Sequence, residues 1–207
     1  MQPENTSFPI AHAADLAGRL FTVGHSNHEP EAFLALLRRH GVTAVADVRS
    51  SPYSRRMPHF SRGSLEATLG HHGIAYVFLG QELGGRPTDE ALYHPDGWAD
   101  YERVRSTAGF ARGVERVLGG LQRYTVALMC GEEDPIDCHR GLMVTPALKA
   151  LGLPPRHIRR DRLESTEEFE QRVQDAAGVG ALFGMDEAYR LLNGKKAYRR
   201  GDDPAEL

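Results

Sequence analysis

The chain is predicted to fold as an α/β protein: a mostly parallel sheet flanked by helices on both faces in three layers, with a helical C-terminal tail. Two observations predict this class. Short apolar runs rich in β-branched residues alternate with helical patterns from about residue 20 to residue 160, the signature of βαβ units. One of these runs, Val42–Val48, is apolar almost throughout, as expected of a central strand covered on both faces.

Leu20–Val23 reads as a buried strand ending in the turn Gly24-His25-Ser26-Asn27, where Ser26 or Asn27 would cap the next helix. That helix opens at Glu29-Pro30, puts Phe33, Leu34, Leu36 and Leu37 on one broad face, and stops at Gly41. The strand Val42–Val48 finishes in Asp47-Val48-Arg49. A proline-punctuated loop, Ser50–Phe60, follows, then a helix over about 62–70 and a strand, Ala75–Leu79, closing at Gly80. Leu83–Asp100 carries Gly84, Gly85, Pro87, Pro95, Gly97 and the lone Trp98, and reads as a long surface loop or lid. A helix over about 107–121, the strand Tyr124–Met129, an acidic turn, a helix over about 135–151 and a last strand near His157–Arg160 complete the pattern. From about residue 163 the composition turns to Glu-rich helix and then to Lys195, Lys196, Arg199 and Arg200, a peripheral helical segment over 163–207 with a frayed end. A single domain, 1–207, with its core over about 20–160, suits this length, and there are no internal repeats.

With 41% hydrophobic and 26% charged residues the composition is that of an ordinary globular protein. No apolar run approaches the roughly 18 residues of a spanning helix. Met1–Asn5 lacks the basic start of a signal peptide, so a cytoplasmic protein with no membrane partner is expected. A net charge of −3 excludes coating nucleic acid by bulk charge. The charge is segregated, however. Arg49, Arg55, Arg56 and Arg62 follow one another with no acid between them, while acids crowd Glu132–Asp137. Nothing in the sequence sets an oligomeric state.

The strand-to-helix turn Cys130-Gly131-Glu132-Glu133-Asp134-Pro135-Ile136-Asp137-Cys138-His139-Arg140 gathers the reactive residue types. Asp134 is placed to cap the helix, with Pro135 at its first position. A thiol at a helix N-terminus near an arginine has a lowered pKa, which makes Cys130 or Cys138 a candidate nucleophile; the plain alternative is two inert buried cysteines. His139 could move protons, and Arg140 could hold an anion. Four acids in the turn disfavour a phosphate-cradling loop. The element order resembles the rhodanese and cysteine-phosphatase layout, but the loop signature of those proteins is missing. Metal ligation by Cys130, Cys138, His139 and His25 gets little support from spacing: two cysteines eight residues apart do not make a zinc knuckle. No metal ligand is therefore assigned, and no cofactor is expected.

The loop from Arg49 to Phe60 interleaves cations with Tyr53 and Phe60. Arginine forks there could hold phosphate or carboxylate while the aromatics stack on bases. The plain alternative is a solvated basic loop packed on the acidic turn. Asp47 at the strand end would orient His25 or Arg140.

Together Thr22–Asn27, Asp47–Ser50, Ser54-Arg55-Arg56 with Phe60, Cys130 and Cys138-His139-Arg140 resemble the family catalogued as domain of unknown function 488, over about Phe21–Arg160. The resemblance implies an α/β domain and marks His25, Asp47, Arg49, Arg55, Arg56, Cys130, Cys138, His139 and Arg140 as motif positions, without assigning their roles. The expectation is an enzyme acting on an anionic or phosphorylated substrate, a nucleotide or nucleic acid. Cys130, Cys138, His139, His25 and Asp47 would be catalytic, and Arg49, Arg55, Arg56 and Arg140 would bind the anion. The alternatives are a non-catalytic nucleic-acid or nucleotide-binding module and a metal- or redox-sensing thiol protein.

Overall fold

The computed structural model describes residues 16–179 and 183–201. Met1–Asn5 and the end of the chain expected to fray lie outside the described residues. Six strands form one sheet: β1 (Leu20–Gly24), β2 (Ala44–Asp47), β3 (Ala75–Phe78), β4 (Val126–Cys130), β5 (Arg156–Ile158) and β6 (Leu163–Glu164), in the spatial order β3-β2-β4-β1-β5-β6. All neighbours pair parallel except β6, which runs antiparallel to β5.

Strand side chains alternate between two cores. Leu20, Ala44, Ala46 and Leu128 face one side; Phe21, Val23, Val45, Ala127 and Met129 face the other. The second side is covered by α1 (Pro30–Arg39), through Phe33, Leu34 and Leu37, and by α2 (Arg62–His71), through Leu65 and Leu69. Every such buried side chain stabilises the fold by about 1.5–3 kcal/mol. The first side is covered by the remaining helices: α3 (Gly80–Leu83), α4 (Tyr101–Arg105), α5 (Ala108–Leu121), α6 (Thr145–Ala150), α7 (Thr166–Ala177) and α8 (Met185–Lys196). The predicted three layers are present, with helices on both faces. Among the described residues no helix is long and apolar enough to cross a membrane.

Two local readings change. Neither Ser26 nor Asn27 caps α1; its N-cap is Glu29, with Pro30 at the first helical position. Ser26 instead takes a left-handed conformation, φ 47°, and offers its carbonyl to His25 Nδ1. The continuous helix expected over 135–151 is broken into a 3₁₀ turn (Pro135–Asp137), an extended Cys138, a π segment (Arg140–Val144) and α6. Pro146 explains the π segment, since it has no N–H for an α-helical bond and its ring crowds the preceding turn. Thr145 compensates by giving both its amide and its hydroxyl to Arg140 O.

The segment after residue 163 is helical as read, but it is built into the body of the protein. Phe169, Val173, Ala188 and Leu192 join the first core, and Asn193 hydrogen-bonds to Ala99 in the 83–100 loop and to Tyr101 at the start of α4.

Candidate functional site

Parallel pairing sets the carboxyl ends of β1, β2 and β4 side by side, with Gly24 opposite Cys130 and Asp47 opposite Met129. Ligands of open α/β sheets bind beyond such ends. A cleft of about 1060 Å³ opens there, lined by His25, Arg49 and Cys130 from the strand ends, and by Glu132, Cys138 and His139 from the turn after β4. Ser50, Tyr53 and Arg55 come from the arginine loop, Gly85 and Arg86 from the 83–100 loop, and Lys196 and Tyr198 from the tail. The 83–100 loop and the tail are thus walls of the cleft. Glu132, Arg86, Lys196 and Tyr198 were absent from the sequence-derived set, because nothing local to them distinguishes a cleft wall from solvated surface.

On the floor, Cys130 and Cys138 are each only 4% exposed and are free thiols. His139 Nδ1 lies 3.7 Å from Cys130 Sγ and 3.8 Å from Cys138 Sγ. Its Nε2 is 2.9 Å from Val48 O; a carbonyl only accepts, so Nε2 carries the proton and Nδ1 turns its lone pair to the sulfurs whenever the ring is neutral. Gly85 makes this placement possible, since a Cβ there would meet the His139 ring at 2.7 Å. The Cys138 sulfur accepts the amide N–H of Arg140 at 3.4 Å, in the manner of an N-cap.

The two thiols are driven apart electrostatically. Cys130 is pushed well above the ordinary thiol range by its hydrogen bond to Cys138 and by burial. Burial works against a thiolate at Cys138 too, yet the hydrogen bond from Cys130 and the charges of Arg140 and His139 bring it well below that range. Burial opposes protonation of His139, but the charge on Cys138 outweighs it and raises the imidazole. Glu132, 3.1 Å from Cys130 Sγ, is raised by burial and by Cys138, so it holds a proton more readily than an exposed carboxyl.

Beside this floor stands a chain of fixed polar contacts. Asp47 receives Arg49 Nε at 2.9 Å, Arg49 Nη2 at 2.6 Å and the Tyr76 hydroxyl at 2.9 Å. Arg49 gives its other terminal nitrogen to His25 Nε2 at 3.1 Å and also reaches Phe60 O. His25 Nδ1 donates to Ser26 O, so both its nitrogens are engaged; burial, then Arg49, lower its pKa to about 4. Asp47 therefore acts on His25 through Arg49 and does not touch Arg140.

The expected anion-binding arginines separate. Arg140 is fully buried, its guanidinium donating to Glu132 O and Glu133 O; it shapes the turn and is not presented to the cleft. Arg49 is turned onto Asp47. Arg56 is exposed but is not part of the cleft lining. Arg55 lines the cleft and, among the described residues, makes no hydrogen bond or ion pair. Arg86 stacks on Tyr198 and has no carboxylate partner among them. The acids that argued against an anion site are largely disposed of: Glu133 and Asp134 pair with Arg159 and Arg172.

The family described as domain of unknown function DUF488 matches residues 29–145, more than half of the chain. The chain belongs to the DUF488 family. Every motif position named above lies inside the matched DUF488 span except His25, which precedes it by a few residues. No curated protein and no solved structure matches this DUF488 chain.

Proposed function

We propose that this DUF488 chain is an enzyme acting on an anionic, phosphorylated substrate, a nucleotide or a nucleic acid, in the cleft at the ends of β1, β2 and β4. The observation that carries the reading is the vertical arrangement of that cleft. Two arginines without carboxylate partners, Arg55 and Arg86, stand in its walls above a floor where His139 Nδ1 reaches both sulfurs. Arginines not already paired are free to give bidentate bonds to phosphate. The floor, Cys130, Cys138 and His139, supplies the reactive group. Glu132 is placed to hold or release a proton beside it, and Asp47, Arg49 and His25 are positioning residues that fix the strand ends. The test is to incubate the protein with nucleotides and a single-stranded oligonucleotide and follow substrate loss by mass spectrometry. Turnover abolished by Cys138→Ser and weakened at least tenfold in kcat/KM by Arg55→Ala with Arg86→Ala supports the enzyme. Turnover indifferent to both variants overturns it.

A second reading, a non-catalytic nucleic-acid-binding module, is favoured by one specific observation. Tyr53 is 70% exposed at the mouth, close in sequence to the exposed Arg55 and Arg56, as a base-stacking platform in a cationic loop would be. It predicts salt-sensitive oligonucleotide binding with no turnover.

A further inference from the structure

The ligand atoms of Cys130, Cys138 and His139 all lie within 4.8 Å of one another, and all three residues are buried. Zinc bonds of about 2.3 Å to sulfur and about 2.0–2.1 Å to imidazole nitrogen, at tetrahedral angles, put a sulfur and a nitrogen ligand about 3.6 Å apart. The two sulfur–Nδ1 separations here are 3.7 and 3.8 Å. Both sulfur–nitrogen separations are thus those of ligands around one small ion, and the two sulfurs are within 4.8 Å of each other. The eight-residue interval between the cysteines, which looks wrong for a metal site in sequence, is folded back by the 3₁₀ turn Pro135–Asp137.

The surroundings of these atoms fit the same use. A metal-bound histidine characteristically donates its second ring N–H to a carbonyl or carboxylate, which fixes the tautomer and aims the other nitrogen. His139 does this with Val48 O at the end of β2. The Cys138 sulfur takes a backbone N–H from Arg140, a stabilising contact for a thiolate ligand. A dication between the two sulfurs would neutralise both as thiolates in this buried setting, which one neighbouring imidazole cannot do for two of them. The soft sulfur and borderline nitrogen set selects zinc over magnesium or calcium. His25, the other ligand type nearby, is not part of the cluster, since its Nε2 is engaged by Arg49. Glu132 stands against Cys130 without belonging to the cluster.

We propose that Cys130 Sγ, Cys138 Sγ and His139 Nδ1 bind one zinc ion, with its fourth position open to the cleft. Three protein ligands and an open position is the pattern of reactive rather than purely structural zinc. The use of that position, to polarise an oxygen of the bound anion next to Glu132, rests on the enzyme reading above; the binding of the ion does not.

The test is a cobalt(II) titration of the reduced full-length chain, followed by its sulfur-to-cobalt charge-transfer absorption and by metal analysis after zinc replacement. One equivalent is expected, displaced by zinc. Cys130→Ser, Cys138→Ser and His139→Gln should each weaken binding by more than about 100-fold, while Glu132→Gln keeps the stoichiometry. A natively folded wild-type chain, checked by circular dichroism, that shows no sulfur–cobalt band overturns the site. A band that survives Cys130→Ser with Cys138→Ser does so as well. Binding of a nucleoside monophosphate is measured on the same samples. Nucleotide bound with no metal sinks the zinc site alone; zinc bound with no nucleotide affinity sinks the anion reading alone.

Discussion

Asp47 and Arg49, two residues apart at the end of β2, form a closed buried ion pair, with Arg49 Nη2 2.6 Å from Asp47 Oδ2 and both side chains almost without solvent. Arg49 then carries the pair's influence to His25 and to Phe60 O. Removing one partner leaves a buried charge uncompensated, so Asp47→Asn should destabilise the protein by about 3–5 kcal/mol. Arg49→Lys keeps the charge but cannot span Asp47, His25 and Phe60 O together, and should cost a comparable amount. Urea unfolding midpoints check both; a loss under about 1 kcal/mol in either variant would show that the pair contributes little.

His157 gives the stability of the protein a pH dependence. Its side chain is fully buried, Nδ1 bonds the Thr22 hydroxyl at 2.8 Å and Nε2 has no partner among the described residues. Burial first, and then Arg140, lower its pKa from 6.5 to about 3. Between those two values the unfolded chain binds a proton that the folded chain does not. The stabilisation is therefore complete above pH 6.5 and is lost as pH falls towards 3. From pH 7 to pH 4 the loss is about 3 kcal/mol. Unfolding curves at several pH values should be visibly flatter for His157→Asn, which keeps a partner for Thr22; parallel curves would refute the assignment.

Gly24 ends β1 directly against the acidic turn. A Cβ there would stand 1.8 Å from Glu132 O. Because the neighbour is backbone, itself held by Arg140, it cannot move aside cheaply. Gly24→Ala should cost about 2 kcal/mol or more and lower Tm by roughly 4–8 °C. Calorimetry of this variant reads the effect, and an unchanged Tm would contradict the close approach.

Arg55 and Arg56 are neighbours with different surroundings, and only Arg55 lines the cleft. Nucleoside monophosphate affinity should fall about tenfold in Arg55→Ala and stay within about twofold of wild type in Arg56→Ala. Equal losses measured by isothermal titration, with equal changes in salt slope, would favour the nucleic-acid module, for which the whole loop acts as a diffuse cationic surface.

The fold was legible in the sequence because its signals are local. The apolar body of β2, the Phe33-Leu34-Leu36-Leu37 face of α1 and the polar ends Asp47-Val48-Arg49 and Cys130 each reveal their role within a few residues. The candidate site was legible as a set of strand-end residues, for the same reason. What stayed hidden depends on contacts far apart along the chain. The acids of the turn look hostile to an anion until Arg159 and Arg172 neutralise Glu133 and Asp134 from β5's end and α7. Arg140 reads as a cation offered to ligand, and only the folded path of the turn shows both its ends on carbonyl groups. The break in the helix after Cys138 was marked locally, by Thr145-Pro146, and was outweighed by the apolar periodicity around it.

Lys196 and Tyr198 form one side of the cleft, while its floor is the turn that ends at His139. Synthesis proceeds from the N-terminus at roughly 5–20 residues per second, so the floor is made several seconds before that side exists. During this interval the nascent chain offers both thiols and His139 to the surrounding solution without their final shelter. Docking of the last helix thus also ends a period in which these atoms are open to whatever ions and oxidants the cell contains.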